Sequence, residues 1–254
     1  MKILPIASGS TGNCTYIESA GCKLLLDVGV SVKRIQVGLA MVGKSLTDID
    51  AIVISHQHTD HISALPQLAK QFAIPILSSA KNLNALNKVL PAQYPREVLG
   101  VGTRLEYRGL TIENHAVPHD CIEPLVFVFE EQGKRYGHFT DLGHVPEALK
   151  RVVASLHAMT LESNYDPQLL AQGPYPAFLK KRISGGRGHI SNQIAMDLAS
   201  KHGSKLQTLI LGHLSKTNNQ PQKVLDQFLP LKKIHAHIKL GIARPDRAMS
   251  VVEL

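Results

Sequence analysis

The sequence predicts an α/β protein of four layers, αββα, in which two mixed sheets pack face to face and helices cover their outer surfaces. Two observations support this fold class. In both halves of the 254-residue chain, short apolar runs bounded by turn residues alternate with segments of helical periodicity. Between the halves, the pattern changes to antiparallel hairpins. A single mixed sheet is the alternative, because it would produce a similar alternation.

The first half of the chain supplies a series of predicted strands and helices. The strands are the apolar runs KILPIA, CTYIE, KLLLDV, DAIVIS and PILSS. Helices are predicted where apolar residues recur at intervals of three or four positions, in residues 30–43, 62–72 and 81–90. Gly43 ends the first of these helices.

The middle of the chain predicts two hairpins, each with a glycine in its turn. TRLEY and LTIENHAV flank the turn at residues 108–109, and LVFVFEE and KRYGHFT flank the turn at residues 132–133. The alternation then returns with the segments PEALKRVVASL, AMTLES, SNQIAMDLASKH, TLILGHL and PQKVLDQFL. Since no linker-like segment divides the chain, we expect a single domain over residues 1–254.

Composition narrows the function classes. The chain is 44% apolar and has three scattered cysteines without a C-x-x-C pair, which argues against a disulfide framework and fits a reducing compartment. Neither a signal peptide nor an apolar stretch of membrane length is predicted, so we expect a cytoplasmic protein without membrane association. The net charge of +8 and the pI near 9.4 favour a polyanionic partner such as nucleic acid, with ordinary solubility charge as the alternative.

The segment SHQHTDH places metal-ligand side chains at the end of a predicted strand. His56 and His58 are two residues apart, so on an extended segment both imidazoles point to the same side and can hold one ion. Asp60 and His61 follow in a turn, where adjacent residues can diverge toward a second ion. A solvated histidine-rich loop is the alternative, but the order H-x-H-x-D-H directly after the apolar run AIVI favours a metal site.

Three further candidates follow predicted strands, where a sheet can hold ligands rigidly. His119 lies in VPHDC, Asp141 in HFTDLG and His213 in LILGHLS. Each has a simpler alternative: a surface or supporting role for the two histidines, and a helix N-cap for the aspartate. Their shared placement after strands favours a dinuclear centre. One ion would be held by His56, His58 and His119 and the other by Asp60, His61 and His213, with Asp141 as the bridge.

These motifs resemble the metallo-β-lactamase superfamily. HQHTDH is similar to the signature loop of that family, and Asp27 in LLLDVG matches the aspartate that the family holds under its metal loop. His119, Asp141 and His213 match the later motifs in order, and the resemblance covers essentially the whole chain. It implies the αββα fold and a dinuclear site formed by His56, His58, Asp60, His61, His119, Asp141 and His213.

Four segments resemble a narrower subgroup, the exonucleases of the YycJ/WalJ type. They are SGSTGNCTYIE, LESNYD, KKRISGGRGHISN and LGHLSKTNN. The resemblance implies a cytoplasmic nuclease, acting as a 5′→3′ exonuclease on double-stranded DNA and related to the phosphodiesterases that process tRNA 3′ ends. Glu162 and His189 match positions where those tRNA-processing relatives keep a glutamate and a proton-donating histidine.

The candidate residues fit phosphodiester hydrolysis. Two divalent ions at such a site lower the pKa of water and clamp the attacked phosphoryl group. Imidazole and carboxylate ligands without cysteine suit zinc, with manganese and iron as alternatives. We expect Asp60 to orient the attacking oxygen, and His189, held by Glu162, to protonate the departing sugar oxygen. The alternative for His189 is a capping role at the start of the helix SNQIAMDLA.

Two segments are candidates for phosphate contact. The loop SGSTGN at residues 8–13 is small and contains glycine, so its backbone N–H groups can bind a phosphate; a plain hairpin turn is the alternative. The second candidate is a basic track, for which a solvated surface is an equally good account. This track consists of Lys180, Lys181, Arg182 and Arg187.

We therefore expect a metal-dependent hydrolase of nucleic-acid phosphodiester bonds, with DNA favoured over RNA. The alternative is a hydrolase of a small ester, thioester or cyclic phosphodiester on the same dinuclear centre. The charge of +8 and the pair Glu162 and His189 favour the nuclease, because a thioester has a good leaving group and needs no strong acid. A metal-sensing or partner-binding module without catalysis is disfavoured by the complete ligand set.

Overall fold

The computed structural model describes all 254 residues of the chain and contains two seven-stranded sheets. The first sheet comprises β1 (Lys2–Ala7), β2 (Cys14–Glu18), β3 (Lys23–Leu26), β4 (Ala51–Val53), β5 (Ile76–Ser78), β6 (Arg96–Val98) and β14 (Val252–Glu253). The second comprises β7 (Arg104–Tyr107), β8 (Leu110–Ala116), β9 (Leu125–Glu131), β10 (Lys134–Phe139), β11 (Ala158–Glu162), β12 (Thr208–Gly212) and β13 (Lys239–Ile242). The predicted two-sheet fold is confirmed.

The chain completes most of one sheet before it begins the other. The strand order is β14-β1-β2-β3-β4-β5-β6 in the first sheet and β13-β12-β11-β10-β9-β8-β7 in the second. Both sheets are mixed: β1 to β3 and β7 to β10 are antiparallel, whereas β3 to β6 and β10 to β13 are parallel. Only β14 returns to the first sheet, where it pairs with β1.

Helices cover the outer face of each sheet. They are α1 (Val32–Ala40), α2 (Thr59–Ile62), α3 (Leu65–Gln71), α4 (Ala80–Ala85), α5 (Glu147–Val153), α6 (Pro167–Gln172), α7 (Ala177–Ser184), α8 (Asn192–His202) and α9 (Pro221–Ile234). Apolar residues of α1, α3 and α4 pack on the first sheet, and those of α5, α8 and α9 pack on the second. No helix has the length and apolar character needed to cross a membrane.

Alternating side chains fill the layers on both sides of each sheet. In β3, Leu24 and Leu26 belong to the core between the sheets, whereas Leu25 belongs to the core under the helices. In β9, Phe127 and Phe129 point between the sheets in the same way. Each such side chain contributes about 1.5–3 kcal/mol on burial, so both faces of both sheets stabilise the four-layer arrangement.

The two predicted hairpin turns are confirmed by their backbone angles. Arg108 and Gly109 have φ of 50° and 81°, and Gln132 and Gly133 have φ of 49° and 76°. Two successive positive φ values characterise the type I′ turn, which matches the twist of the flanking strands.

The predicted helix over residues 62–72 is wrong in its extent, because the structure divides this region into α2 and α3. Pro66 lies in the first turn of α3, where its missing N–H is tolerated, so the proline begins a helix instead of continuing one. The short elements β6, α6, α7, β13 and β14 were not predicted.

Candidate metal centre

The candidate ligands meet at one end of the gap between the sheets. Residues 55–61 follow β4 in the first sheet, whereas His119, Asp141 and His213 follow β8, β10 and β12 in the second. The donor atoms of His56, His58 and His119 all lie within 4.8 Å of one another, as do those of Asp60, His61 and His213 and those of His56, His61 and Asp141. The structure therefore brings together every residue of the predicted ligand set.

Asp141 lies between the two groups of histidines. Its Oδ2 is 3.3 Å from Nε2 of His61, and its Oδ1 is 3.5 Å from Nε2 of His213 and 3.7 Å from Nε2 of His119. Pro146, not Asp141, is the N-cap of α5, so the capping alternative for Asp141 is excluded. A carboxylate in this position can contact two cations at once.

The backbone at the site adopts conformations that side chains rarely accept. Asp27, Asp141 and His213 have φ of 56°, 62° and 54°, each directly or nearly directly after a strand. Such left-handed conformations cost about 1–3 kcal/mol for residues other than glycine and concentrate at functional sites. The turn at each strand end is therefore maintained by the surrounding packing.

Close packing also fixes the histidine-rich loop. Gly29 follows β3, and a Cβ atom at this position would lie 1.6 Å from the carbonyl oxygen of Asp60. Only glycine lets the two segments approach this closely.

Hydrogen bonds at Nδ1 set the orientation of the imidazoles. Nδ1 of His61 contacts Oδ2 of Asp27 at 2.7 Å, Nδ1 of His119 donates to the carbonyl of Gly188 at 2.9 Å, and Nδ1 of His213 contacts Oε1 of Glu162 at 2.9 Å. Nδ1 of each ring therefore carries the proton. Its Nε2 is left as the electron-pair donor toward the centre, the arrangement typical of metal-binding histidines.

Several polar atoms of the centre lack partners. Nε2 of His56, Nε2 of His213 and Oδ2 of Asp141 are buried without a hydrogen bond. Unpaired buried polar atoms are costly, and here all three belong to the candidate ligands. Five imidazoles and two carboxylates with these free atoms fit divalent cations.

The electrostatics of the centre favour a positive charge. Burial lowers the pKa of His213, but the carboxylates of Asp141, Asp60 and Glu162 outweigh this effect and raise it to about 10. At His56 burial prevails, assisted by repulsion from His61, and the pKa lies well below its usual value. The carboxylates thus attract a cation, while His56 stays neutral and available as a ligand.

Glu162 joins the centre to a histidine at the edge of the cleft. Its fully buried carboxylate accepts hydrogen bonds from Nδ1 of His189 at 2.7 Å and from the backbone N–H of Leu142 at 2.8 Å, besides the contact with His213. Ser191 is the N-cap of α8, so the capping alternative for His189 is excluded. His189 lines a cleft of about 330 Å³ that also exposes His58, Asp60 and His119.

The predicted basic track is largely committed to contacts within the protein. Arg182 pairs with Asp120, Lys180 donates to the carbonyl of Ala171 at 2.6 Å, and Arg187 donates to the carbonyl of His119 at 3.1 Å. The residues 180–182 lie on α7, which buries no side chain and forms one wall of the cleft. This segment therefore forms a wall of the cleft, and most of its positive charges are not free to contact a phosphate.

Sequence reasoning missed the residues that support the ligands. Nδ2 of Asn13 lies 3.4 Å from Oδ2 of Asp60 and 3.1 Å from Nε2 of His61. Ser55 donates from its backbone and its hydroxyl to the carboxylate of Asp27, at 2.8 Å in both cases. The loop at residues 8–13 thus contributes an amide to the centre, a role that no signal in the sequence indicated.

Comparison with known proteins agrees with this arrangement. Residues 23–214 match the family profile described as "Beta-lactamase superfamily domain". The chain is 31% identical over 221 residues to "Exodeoxyribonuclease YycJ" of Bacillus anthracis, covering 85% of this chain and 83% of that protein. It is 33% identical over 221 residues to "Exodeoxyribonuclease WalJ" of Streptococcus pneumoniae, covering 84% and 81%.

Solved structures show the same fold. Zn²⁺-bound PqqB from Methylobacterium extorquens superposes with a TM-score of 0.76 at 15% identity, covering 100% of both chains. The short form of human tRNase Z superposes with a TM-score of 0.64 at 15% identity, also covering 100% of both chains. At these identities the likeness concerns the fold alone.

Proposed function

The chain belongs to the metallo-β-lactamase superfamily, and from that membership we propose that it is a metal-dependent nuclease that degrades double-stranded DNA from the 5′ end. Relatives named as exodeoxyribonucleases support this substrate class. The observation that carries the proposal is the contact of Glu162 with His189, the proposed proton donor, at the cleft that borders the candidate centre.

The proposed ligands are the predicted ones. His56, His58 and His119 would hold one ion, Asp60, His61 and His213 would hold the other, and Asp141 would contact both. When bound, two divalent ions act as Lewis acids that lower the pKa of water and neutralise charge on a phosphate. The donor set favours zinc, with manganese and iron as alternatives.

His189 supplies the proton that the departing sugar oxygen needs. Because its Nδ1–H donates to Glu162, Nε2 is the nitrogen left for the substrate. In the protonated ring, the carboxylate of Glu162 stabilises the positive charge, and Nε2–H transfers its proton to the leaving oxygen. Asp60 borders the same cleft and is the carboxylate placed to orient the attacking oxygen.

This proton donor favours a phosphodiester substrate over the thioester among the alternatives. A sugar alkoxide is strongly basic and leaves slowly unless it is protonated, whereas a thiolate leaves without an acid. A buried glutamate that holds a histidine at the cleft is therefore suited to a phosphodiester of an alcohol more than to a thioester.

End-labelled duplex DNA, single-stranded DNA and RNA test the proposal directly. With Zn²⁺ or Mn²⁺, duplex DNA labelled at the 5′ end should release the label at once as a mononucleotide, whereas DNA labelled at the 3′ end should shorten progressively. EDTA should abolish both reactions. Hydrolysis of thioesters with every oligonucleotide left intact would instead support the alternative.

Asp141→Asn tests the proposed centre. An amide bridges two cations much more weakly than a carboxylate, so the variant should lose one of two bound ions and nearly all hydrolysis. Metal content measured by mass spectrometry, with circular dichroism to verify folding, provides the readout. A folded variant that keeps two ions and full activity would remove Asp141 from the centre.

A further inference from the structure

A second depression continues from the cleft along the protein surface. This basic groove, about 480 Å³ in volume, is lined by residues that include Thr11, Arg34, Ser215, Lys216 and Arg244. It shares Ser215 with the cleft, and Thr11 directly follows Ser10, which lines the cleft. The groove is therefore an extension of the cleft and not a separate cavity.

Positive charge predominates along this extension. Arg34, Lys216 and Arg244 line the basic groove, and Asp246 is its one acidic residue. A neighbouring depression of about 520 Å³ shares Arg34 and Asp246 with the groove and adds Lys33 and Arg247. The cations are spread over two connected depressions and do not converge on one point, which suits a chain of phosphates more than a single anion.

Most of these cations have no charged partner in the protein. Arg244 pairs with Asp246 at 3.0 Å, but Lys33, Lys216 and Arg247 make no ion pair or side-chain hydrogen bond. The guanidinium of Arg34 reaches only the carbonyl of Ile6, at 3.5 Å. Lys33, Lys216 and Arg247 thus differ from Lys180, Arg182 and Arg187 of the other track, which are held by other groups.

The junction between the cleft and the basic groove also offers backbone donors. In the loop at residues 8–13, the N–H groups of Ser8, Gly9 and Gly12 donate within the protein, and that of Asn13 donates to the carbonyl of Asp60. The N–H groups of Ser10 and Thr11 are the two that remain free. Backbone donors of this kind bind phosphate oxygens.

We infer that the basic groove binds the sugar–phosphate backbone of the DNA strand that enters the cleft, with Arg34, Lys216 and Arg244 contacting successive phosphates. This inference rests on the proposed nuclease function and names how the substrate is bound. Contacts of this type are independent of base sequence and depend strongly on salt concentration.

The test compares two variants that remove equal charge. The groove variant carries Arg34→Gln, Lys216→Gln and Arg244→Gln. The control variant carries Lys205→Gln, Lys232→Gln and Lys233→Gln, three exposed positions near the ends of α8 and α9, away from the strand ends that bear the cleft. Binding of a fluorescent duplex with phosphorothioate linkages, which resist hydrolysis, is measured by anisotropy with metal present at several salt concentrations.

The groove variant should reduce the slope of log affinity against log salt concentration by about 0.9 for each lost phosphate contact. For three contacts the reduction is about 2.7, so affinity at 0.1 M salt should fall roughly 10²-fold or more. The control variant should retain the wild-type slope. Equal slopes in the two variants would overturn the inference.

Two further measurements keep the inference separate from the proposed function. If the triple variant does not fold, Lys216→Gln alone should lower the slope by about 0.9, and an unchanged slope would overturn the inference. A wild-type protein that binds the duplex through the groove but cleaves no DNA would refute the nuclease proposal and support the groove. If the wild-type protein cleaves DNA but the groove variant binds the duplex with the wild-type slope, the nuclease proposal is supported and the groove is refuted.

Discussion

Glu162 is the residue on which two parts of the site depend. The same oxygen, Oε1, accepts hydrogen bonds from His213 at 2.9 Å and from His189 at 2.7 Å. One carboxylate therefore fixes the proton on Nδ1 of a proposed ligand and on Nδ1 of the proposed acid. Both histidines also border the cleft. With Nδ1 of each ring bound to Glu162, Nε2 of His213 is left for the proposed ion and Nε2 of His189 for the substrate.

His189→Ala separates the acid from the ligands. We expect turnover on DNA to fall roughly 10²–10⁴-fold, the usual contribution of a general acid. Hydrolysis of bis-p-nitrophenyl phosphate should fall much less, because nitrophenolate leaves without a proton. Both rates and the metal content are measured on the same preparation, with His144→Ala as the control, because His144 contacts only the carbonyl of Gly186 at the surface.

Other outcomes for His189→Ala have distinct meanings. Loss of an ion would show that His189 is a ligand. Equal losses on the two substrates, together with lower stability, would show that the residue only supports the structure.

At the level of single residues, the sequence predicted the side chains with distinctive chemistry but not the residues that support them. Histidines and aspartates after strands carry a recognisable pattern, and the structure brings all of those candidates together. Asn13 could not be found in this way, because its partner Asp60 is 47 residues distant and an amide has no metal-ligand signature of its own. Ser55 presents the same difficulty, since its contact with Asp27 depends on the packing of β3 beside β4.

At the level of elements, a set of buried asparagines ties several strand ends and a helix together. Nδ2 of Asn219 donates to the carbonyls of Ser163 and Asn164 at 2.8 and 3.0 Å and to Oδ1 of Asn192 in α8 at 2.9 Å. Asn164 donates in turn to the carbonyl of His213 at 2.8 Å. The asparagine amides thus help to hold the segments after β11 and β12 to the start of α8, together with the hydroxyl of Ser163.

Asn219→Ala should destabilise the protein markedly. The change removes the partner of the Ser163 carbonyl and of the Asn192 amide, and it removes one of the two hydrogen bonds to the Asn164 carbonyl. We therefore expect the free energy of unfolding to fall by about 2–4 kcal/mol. Urea denaturation monitored by circular dichroism measures the loss. The control is Gln222→Ala, whose amide contacts Asp226 at the exposed surface of α9 and should change stability by less than about 0.5 kcal/mol. Similar values for the two variants would show that the asparagines contribute no more than surface contacts.

Elements with strong periodicity were predicted from the sequence, and weakly patterned ones were not. β9 and β12 have short continuous apolar runs bounded by turn residues, which is the pattern of a buried strand. The hairpin turns carry their glycines where positive φ requires them. α7 has no buried residue, so no apolar stripe marked it as a helix. β14 contains two residues and exists because it pairs with β1, a contact between the two ends of the chain that local sequence does not encode.

Considered as a whole, the molecule consists of two sheets whose strands come from successive parts of the chain. β1 to β6 precede every strand of the second sheet, and β14 alone crosses back. The candidate ligands are divided in the same way, with the histidine-rich loop on the first sheet and His119, Asp141 and His213 on the second. Any cation bound there contacts both sheets.

Because β1 to β6 precede every strand of the second sheet, a single cut in the chain can divide the protein into two fragments, one for each sheet. A cut between Val101 and Gly102, in the exposed turn that joins β6 to β7, would give one piece with six strands of the first sheet and another with the complete second sheet. The two pieces should associate through the apolar surface between the sheets. Zinc should tighten that association at least about tenfold, since only the assembled pair contains the complete ligand set. Titration of one labelled fragment with the other, with zinc or with EDTA, gives the two dissociation constants. Asp141→Asn in the second fragment should abolish the increase in affinity that zinc produces. If zinc does not change the dissociation constant of the wild-type fragments, the ion does not contribute to their association.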